Sequence, residues 1–102
     1  MQLEHSVFFK LKDAAPERID ALVASAKQHL TNHPGLISFG VGIRNPDLNR
    51  PVNDNQYDVS LHCRFENQEA HDAYQIDQRH QLFINEQRDN WAVVRVFDTD
   101  LL

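Results

Sequence analysis

The sequence predicts an α+β fold in which a four-stranded antiparallel sheet carries helices on one face. Three observations predict it. Four segments alternate apolar and polar residues with period two, and two segments repeat them with helical period. The two kinds follow one another in the order β-α-β-β-α-β, which is the ferredoxin-like arrangement. At 102 residues the chain is sized for one domain, expected to span 1–102 around a single core.

The first strand is "LEHSVFFKLK", with Leu3, His5, Val7, Phe9 and Leu11 on one face and Glu4, Ser6, Phe8, Lys10 and Lys12 on the other. "DAAPERIDALVASAKQHLTNHPG" changes period: Ile19, Leu22, Val23, Ala26 and Leu30 recur at helical spacing. Pro16 suits the first turn, Asp13 or a neighbour is placed to cap it, and His33-Pro34-Gly35 ends the helix. "LISFGVGIR" alternates again as the second strand, where Gly40 and Gly42 mark a bulge or a close backbone approach. "NPDLNRPVNDNQ" is a loop of about a dozen residues, long enough for a lid or a partner contact. The third strand, "YDVSLHCRF", puts Tyr57, Val59, Leu61, Cys63 and Phe65 on one face. From Glu66 to about Arg88 the pattern is helical with an interruption near Asp77. "WAVVRVFD" is the fourth strand, with Val94 and Val96 opposite Val93, Arg95 and Phe97.

The same alternation leaves a second sheet face of Glu4, Ser6, Phe8, Lys10, Ser60, His62, Arg64, Val93, Arg95 and Phe97. Aromatic and aliphatic groups among charged ones suit a homodimer in which two sheets pack, with Arg64 or Arg95 pairing Glu4 or Asp58. The alternative is a solvated face with scattered aromatics.

Composition narrows the function classes. Hydrophobic residues at 41% and charged residues at 25% are ordinary for a folded protein, and the net charge of −5 argues against a nucleic-acid partner. Cys63 is the only cysteine, so no internal disulfide forms, and its apolar setting reads as a small buried hydrophobe. No apolar run approaches the roughly 20 residues that span a bilayer, and "MQLEHSVFFKLKD" is too polar for a signal peptide, so a cytoplasmic protein without membrane contact is expected. There is no phosphate loop, nucleophile elbow or dinucleotide fingerprint. His29 and His33 have i, i+4 spacing but lack a third ligand, so neither metal nor cofactor is expected.

"HSVFFKLK", "HPGLISFGVG", "YDVSLHCRFEN", "AYQIDQRHQLF" and "VVRVFD", running from about His5 to Asp98, together resemble the stress-responsive α/β-barrel (Dabb) family. The resemblance implies a dimeric α/β barrel, in a family most of whose members have no established reaction. After the third strand the family pattern is a tyrosine, two residues, then His-Pro-any-His. Tyr74 and His80 match it, while Asp77-Gln78 departs from it. In a plant polyketide cyclase of the family the matched tyrosine and histidine are the catalytic pair and a histidine matching His5 lines the pocket. A further pocket histidine of that enzyme aligns with Val59 here.

Geometry sets a condition on this pair. Six residues along an unbroken helix turn through about 600°, so Tyr74 and His80 point apart unless the helix breaks. Asp77 can break it as an N-cap, its carboxylate accepting from the N–H of residue 79 or 80. His80 then lies in the first turn of a new helix, whose positive end favours neutral imidazole while the Asp77 charge opposes it. A neutral His80 is a general base, and the Tyr74 phenol can donate to a carbonyl. The plainer alternative is two half-buried side chains with satisfied polar tips.

The expected site is an apolar cavity between sheet and helices lined by His5, Val7, Phe9, Val59, Leu61, Tyr74, His80, Trp91, Val94 and Val96. His62 is assigned to the dimer face, and His71 to the polar side of its helix without a role. The expected function is a Dabb-type homodimer binding a small hydrophobic carbonyl compound, with Tyr/His acid–base chemistry of the polyketide-cyclase kind. A non-catalytic stress-response assembly protein and a cofactor-free monooxygenase-like enzyme are the alternatives.

Overall fold

In the computed structural model, which describes residues 1–102, strand β1 (Leu3–Leu11) is buried at every odd position and half-buried at every even one, as its alternation predicts. Helix α1 (Pro16–His29) starts with proline in its first turn. Its N-cap is Ala15 without a side-chain bond; the Asp13 carboxylate instead accepts from the Ala15 N–H at 3.0 Å, turning the chain just before the helix. The helix stops at His29, earlier than its sequence pattern suggests, and His33-Pro34-Gly35 belongs to the connection that follows.

Strand β2 (Leu36–Ile43) leads through the predicted loop to β3 (Val59–Phe65). Tyr57 and Asp58 precede β3 rather than opening it. The Asp58 carboxylate accepts from the Leu11 N–H at 2.8 Å, which ties this approach to the end of β1. Helices α2 (Gln68–Ile76) and α3 (Gln78–Gln87) flank Asp77, and a 3-10 turn (Arg88–Asn90) feeds β4 (Trp91–Asp100). The sheet order is β2-β3-β1-β4 with every neighbouring pair antiparallel, the ferredoxin-like topology.

The bulge in β2 falls between Leu36 and Ser38, not at the glycines. Gly40 and Gly42 sit in regular register opposite His62 and Ser60, and nothing lies within 4 Å of where a Cβ would project. Gly35 is the glycine that the backbone requires. It has φ +79°, and an added Cβ would stand 2.4 Å from Ala70 Cβ.

Thirteen buried apolar side chains form one cluster between sheet and helices, with Leu22, Leu30, Val59 and Phe65 almost fully enclosed. Polar bonds fix the helices to one another. Glu86 of α3 accepts from Ser25 Oγ at 2.7 Å and bonds His29 Nε2 at 3.0 Å. The Arg79 guanidinium donates to the carbonyls of Thr31 and Gln28 at 2.8 and 2.7 Å, and His33 Nε2 meets the His29 carbonyl at 2.9 Å. The two histidines therefore act at the negative end of α1 and do not converge as a chelating pair. The edge strand β4 is poorly covered: Val94 and Val96 face the helix side yet remain 39% and 50% exposed.

On the other face, Phe8 packs edge-to-face with Tyr57, His62 and Phe97 at centroid distances of 5.1, 5.8 and 5.8 Å. Arg64 pairs Glu4 within the chain at 2.9 Å. Arg95 reaches Asp54 of the loop at 2.7 Å, while Asp58 pairs Lys10 at 3.6 Å, so the expected partners of Arg95 are corrected. Loop residues compete for the cation because they fold over this end of the sheet.

Gly35→Ala combines a positive φ with overpacking against Ala70. A loss of about 2–4 kcal/mol in unfolding free energy is expected from urea titration, the sum of a backbone penalty and core strain.

Candidate functional site

The interruption predicted near Asp77 is a true break. Asp77 is extended, with φ −66° and ψ 144°, and its carboxylate accepts from the Arg79 N–H at 2.8 Å. One residue thus ends α2 and caps α3. The new helix direction brings the Tyr74 and His80 rings to 4.8 Å at an interplanar angle of 73°. Tyr74 is 2% exposed and packs against Phe65, His33 and His5 at 5.0, 5.1 and 6.0 Å.

Tyr74 and His80 border a cavity of about 400 Å³ between sheet and helices. Three buried polar atoms here make no hydrogen bond to the protein: the Tyr74 hydroxyl, His80 Nδ1 and Trp91 Nε1. A buried polar group without a partner costs about 1–3 kcal/mol, and all three belong to side chains that line the cavity, the Tyr74 hydroxyl having only the Cys63 thiol beside it.

Of the ten side chains expected at the cavity, nine line it: His5, Val7, Phe9, Leu61, Tyr74, His80, Trp91, Val94 and Val96. Val59 does not. It stands between Phe9 and Ile43 in the register and is fully enclosed in the core, although its neighbour Phe9 reaches the cavity. Period two gives its face correctly but not whether neighbouring side chains cover it.

Sequence reasoning missed the polar His71, Gln75 and Asp98 on the cavity wall, and with them the apolar Leu30, Phe83 and Ile84. Asp98 shares the parity of Val94 and Val96 and lies opposite His5 in the β1–β4 register, so its face was readable. His71 stands three residues before Tyr74, a spacing that shares a helix face. His5 Nδ1 bonds Asp98 Oδ1 at 2.5 Å, and His71 Nδ1 bonds Asp72 at 3.0 Å. The Gln75 amide nitrogen lies 3.5 Å from His5 Nε2 and 3.4 Å from His71 Nε2.

Burial sets the protonation states. It pushes His80 down to about 4, helped by the nearby His5 and His33, and the Asp77 carboxylate does not offset it. His5 is also lowered by burial, against the opposing pull of Asp98. Tyr74 is raised by burial and by the adjacent Cys63, whose thiol burial pushes up to about 12. Neutral His80 was expected from the helix dipole; desolvation is the larger cause. A neutral imidazole and a protonated phenol, side by side and unpartnered, can accept one proton and donate a hydrogen bond.

A profile of the Stress Responsive A/B Barrel Domain matches residues 3–101. Among curated proteins no sequence matches. Solved structures do. A dabb family protein with a ferredoxin-like fold from Mesorhizobium loti superposes with TM-score 0.80 at 22% identity, covering 99% of this chain and 97% of that one. A dimeric ferredoxin-like protein of unknown function from Thermobifida fusca gives 0.84 at 16% identity, over 99% and 92%. The hydroxynitrile lyase of Passiflora edulis gives 0.79 at 16% identity, over 99% and 94%.

The low His80 value has a consequence for stability. The unfolded side chain takes its proton near 6.5 and the folded one only near 4, so between these values the unfolded chain binds more protons. Stability should fall as pH drops from about 6.5 towards 4, with no contribution from His80 above that window. Urea midpoints measured across the window should show a flatter pH profile for His80→Asn than for wild type. Equal slopes would mean that His80 is not held neutral by burial.

Proposed function

The chain belongs to the Stress Responsive A/B Barrel Domain family, and from that premise we propose that it binds a small hydrophobic carbonyl compound in the sheet–helix cavity and moves a proton on it. The observation that carries this reading is the pairing of two buried, unbonded polar atoms, the Tyr74 hydroxyl and His80 Nδ1, beside one hollow. The Tyr74 O–H donates to the substrate carbonyl oxygen, and His80 Nδ1 takes a proton from the adjacent carbon. The negative charge that develops on oxygen as the C–H bond breaks is held by the phenol. His80 then returns its proton to the product, so the protein ends unchanged.

The protonation states restrict the substrate. A histidine that titrates near 4 is always unprotonated at neutral pH but is a weak base. It suits a carbon already made acidic by two flanking carbonyls, a β-dicarbonyl unit of the polyketide kind. The raised Tyr74 stays a hydrogen-bond donor throughout. A volume of about 400 Å³ is in the range of small-ligand sites. That a hydroxynitrile lyase is built on this fold supports lyase or isomerase-type proton chemistry.

The working unit in this proposal is a homodimer joined through the open sheet face. Solved relatives are dimeric, and Val93 and Phe97 are each 51% exposed beside the Phe8 aromatic cluster. Gly40 and Gly42 leave free space on the same face, where side chains of a second copy would enter.

Two measurements test these statements. Benzoylacetone, an apolar β-diketone, should raise the wild-type Tm, by up to about 2.7 kcal/mol of stabilisation at a hundredfold excess over Kd. Tyr74→Phe and His80→Ala should lose most of that shift. Methylene deuterium exchange, corrected for the spontaneous rate, should slow about 100-fold or more in His80→Ala. Absence of any wild-type shift would remove the ligand reading and favour a purely structural role; a shift with equal exchange rates would remove the chemistry. Separately, sedimentation should give a dimer for wild type and a monomer for Phe97→Asp, and a monomeric wild type at micromolar concentration would end the dimer proposal.

A further inference from the structure

The polar wall of the cavity contains a group of side chains that the acid–base pair does not use. His5 from β1, His71 from α2 and Asp98 from β4 each contribute one donor atom to a group whose members lie within 4.8 Å of one another. We propose that these three side chains form a binding site for a first-row divalent metal ion such as Zn²⁺. The proposal is independent of any reaction at Tyr74 and His80.

Distances support it. Around an ion with bonds of about 2.0–2.2 Å, neighbouring ligand atoms stand roughly 3.0–3.5 Å apart. Asp98 Oδ1 lies 2.5 Å from His5 Nδ1 and 3.8 Å from His71 Nε2, so the two separations bracket the required one. A sub-ångström swing of the carboxylate equalises them, while the two histidine nitrogens, within 4.8 Å of one another, need His71 on α2 to shift towards His5 before both reach one ion. Asp98 is free to swing: its side chain is 42% exposed on the edge strand, while His5 is held at 5%.

The neighbours of the two histidines supply the rest. His71 Nδ1 donates to the Asp72 carboxylate at 3.0 Å, which leaves Nε2 as the lone-pair nitrogen on the Asp98 side. An ion displaces the proton from His5 Nδ1 to Nε2, and Gln75, 3.5 Å away, accepts it after turning its amide oxygen inward. Each ligating imidazole then keeps an orienting partner, and the carboxylate balances part of the ionic charge. Two nitrogens and one carboxylate leave positions open to the cavity, as in zinc and non-haem iron sites that accept a water or substrate oxygen. The helical His29/His33 spacing offered no such set, because those nitrogens are engaged by Glu86 and a backbone carbonyl.

The test is calorimetric titration of the full chain with ZnCl₂, with Co²⁺ absorption reporting nitrogen and oxygen ligation. One ion per chain is expected to bind at micromolar Kd or tighter. Affinity should fall about 100-fold in His71→Ala and in Asp98→Asn, and remain unchanged in His62→Ala, an exposed histidine on the opposite sheet face. Circular dichroism of each variant confirms that loss of binding is not loss of fold. No saturable binding up to about 1 mM, undiminished affinity in His71→Ala and Asp98→Asn, or equal loss in His62→Ala overturns the site.

Discussion

The Asp77 carboxylate accepting from the Arg79 N–H is the contact on which the site depends. At 2.8 Å it satisfies a donor that a helix start would otherwise leave open, and such a cap contributes about 1 kcal/mol. Its larger effect is directional. An uninterrupted rod would leave Tyr74 and His80 about 120° apart around the axis; the extended residue between two helices lets them meet. Arg79 secures the same joint from its other end, since its guanidinium donates to the Gln28 carbonyl in the last turn of α1 and to the Thr31 carbonyl just beyond it. Backbone and side chain of one residue therefore fix both the break and the position of α3 over the sheet.

Around that joint the protein tolerates costs that a purely structural core avoids. Three polar atoms are buried without partners, and burial lowers the pKa of two histidines, His5 and His80. Nearby, Cys63, Phe65 and Leu22 pack with almost no exposure, so the cost is confined to one hollow. The hollow has two chemically different walls. Helices α2 and α3 present the phenol and imidazole, while β1 and β4 present the His5–Asp98 pair with His71 and Gln75 leaning over it. The edge position of β4 keeps this second wall partly open.

The sheet separates two tasks by parity. Odd positions of β1 face the cavity and core, and even positions build the aromatic and charged face around Phe8. Internal pairing of Glu4 with Arg64 and of Asp54 with Arg95 neutralises charges on that face within one chain. Val93 and Phe97 remain half exposed there.

Side-chain direction was legible from sequence alone. Alternation and helical period place each residue on a face, so the element order and most of the cavity wall could be read in advance; the Tyr74–His80 pair came from the family resemblance, and a capping aspartate at position 77 supplied the break that it requires. Proximity was not legible. Val59 and Asp98 both lie on the helix side of their strands, yet one is sealed in the core and the other completes a cluster with His5, 93 residues away in the chain. His71 takes its importance from a strand that reaches it only after the sheet has assembled, and Arg95 takes Asp54 because a loop folds to it. Local periodicity encodes orientation because it follows from backbone geometry. Which oriented groups become neighbours depends on strand register and helix placement, and those are decided only when the whole sheet pairs.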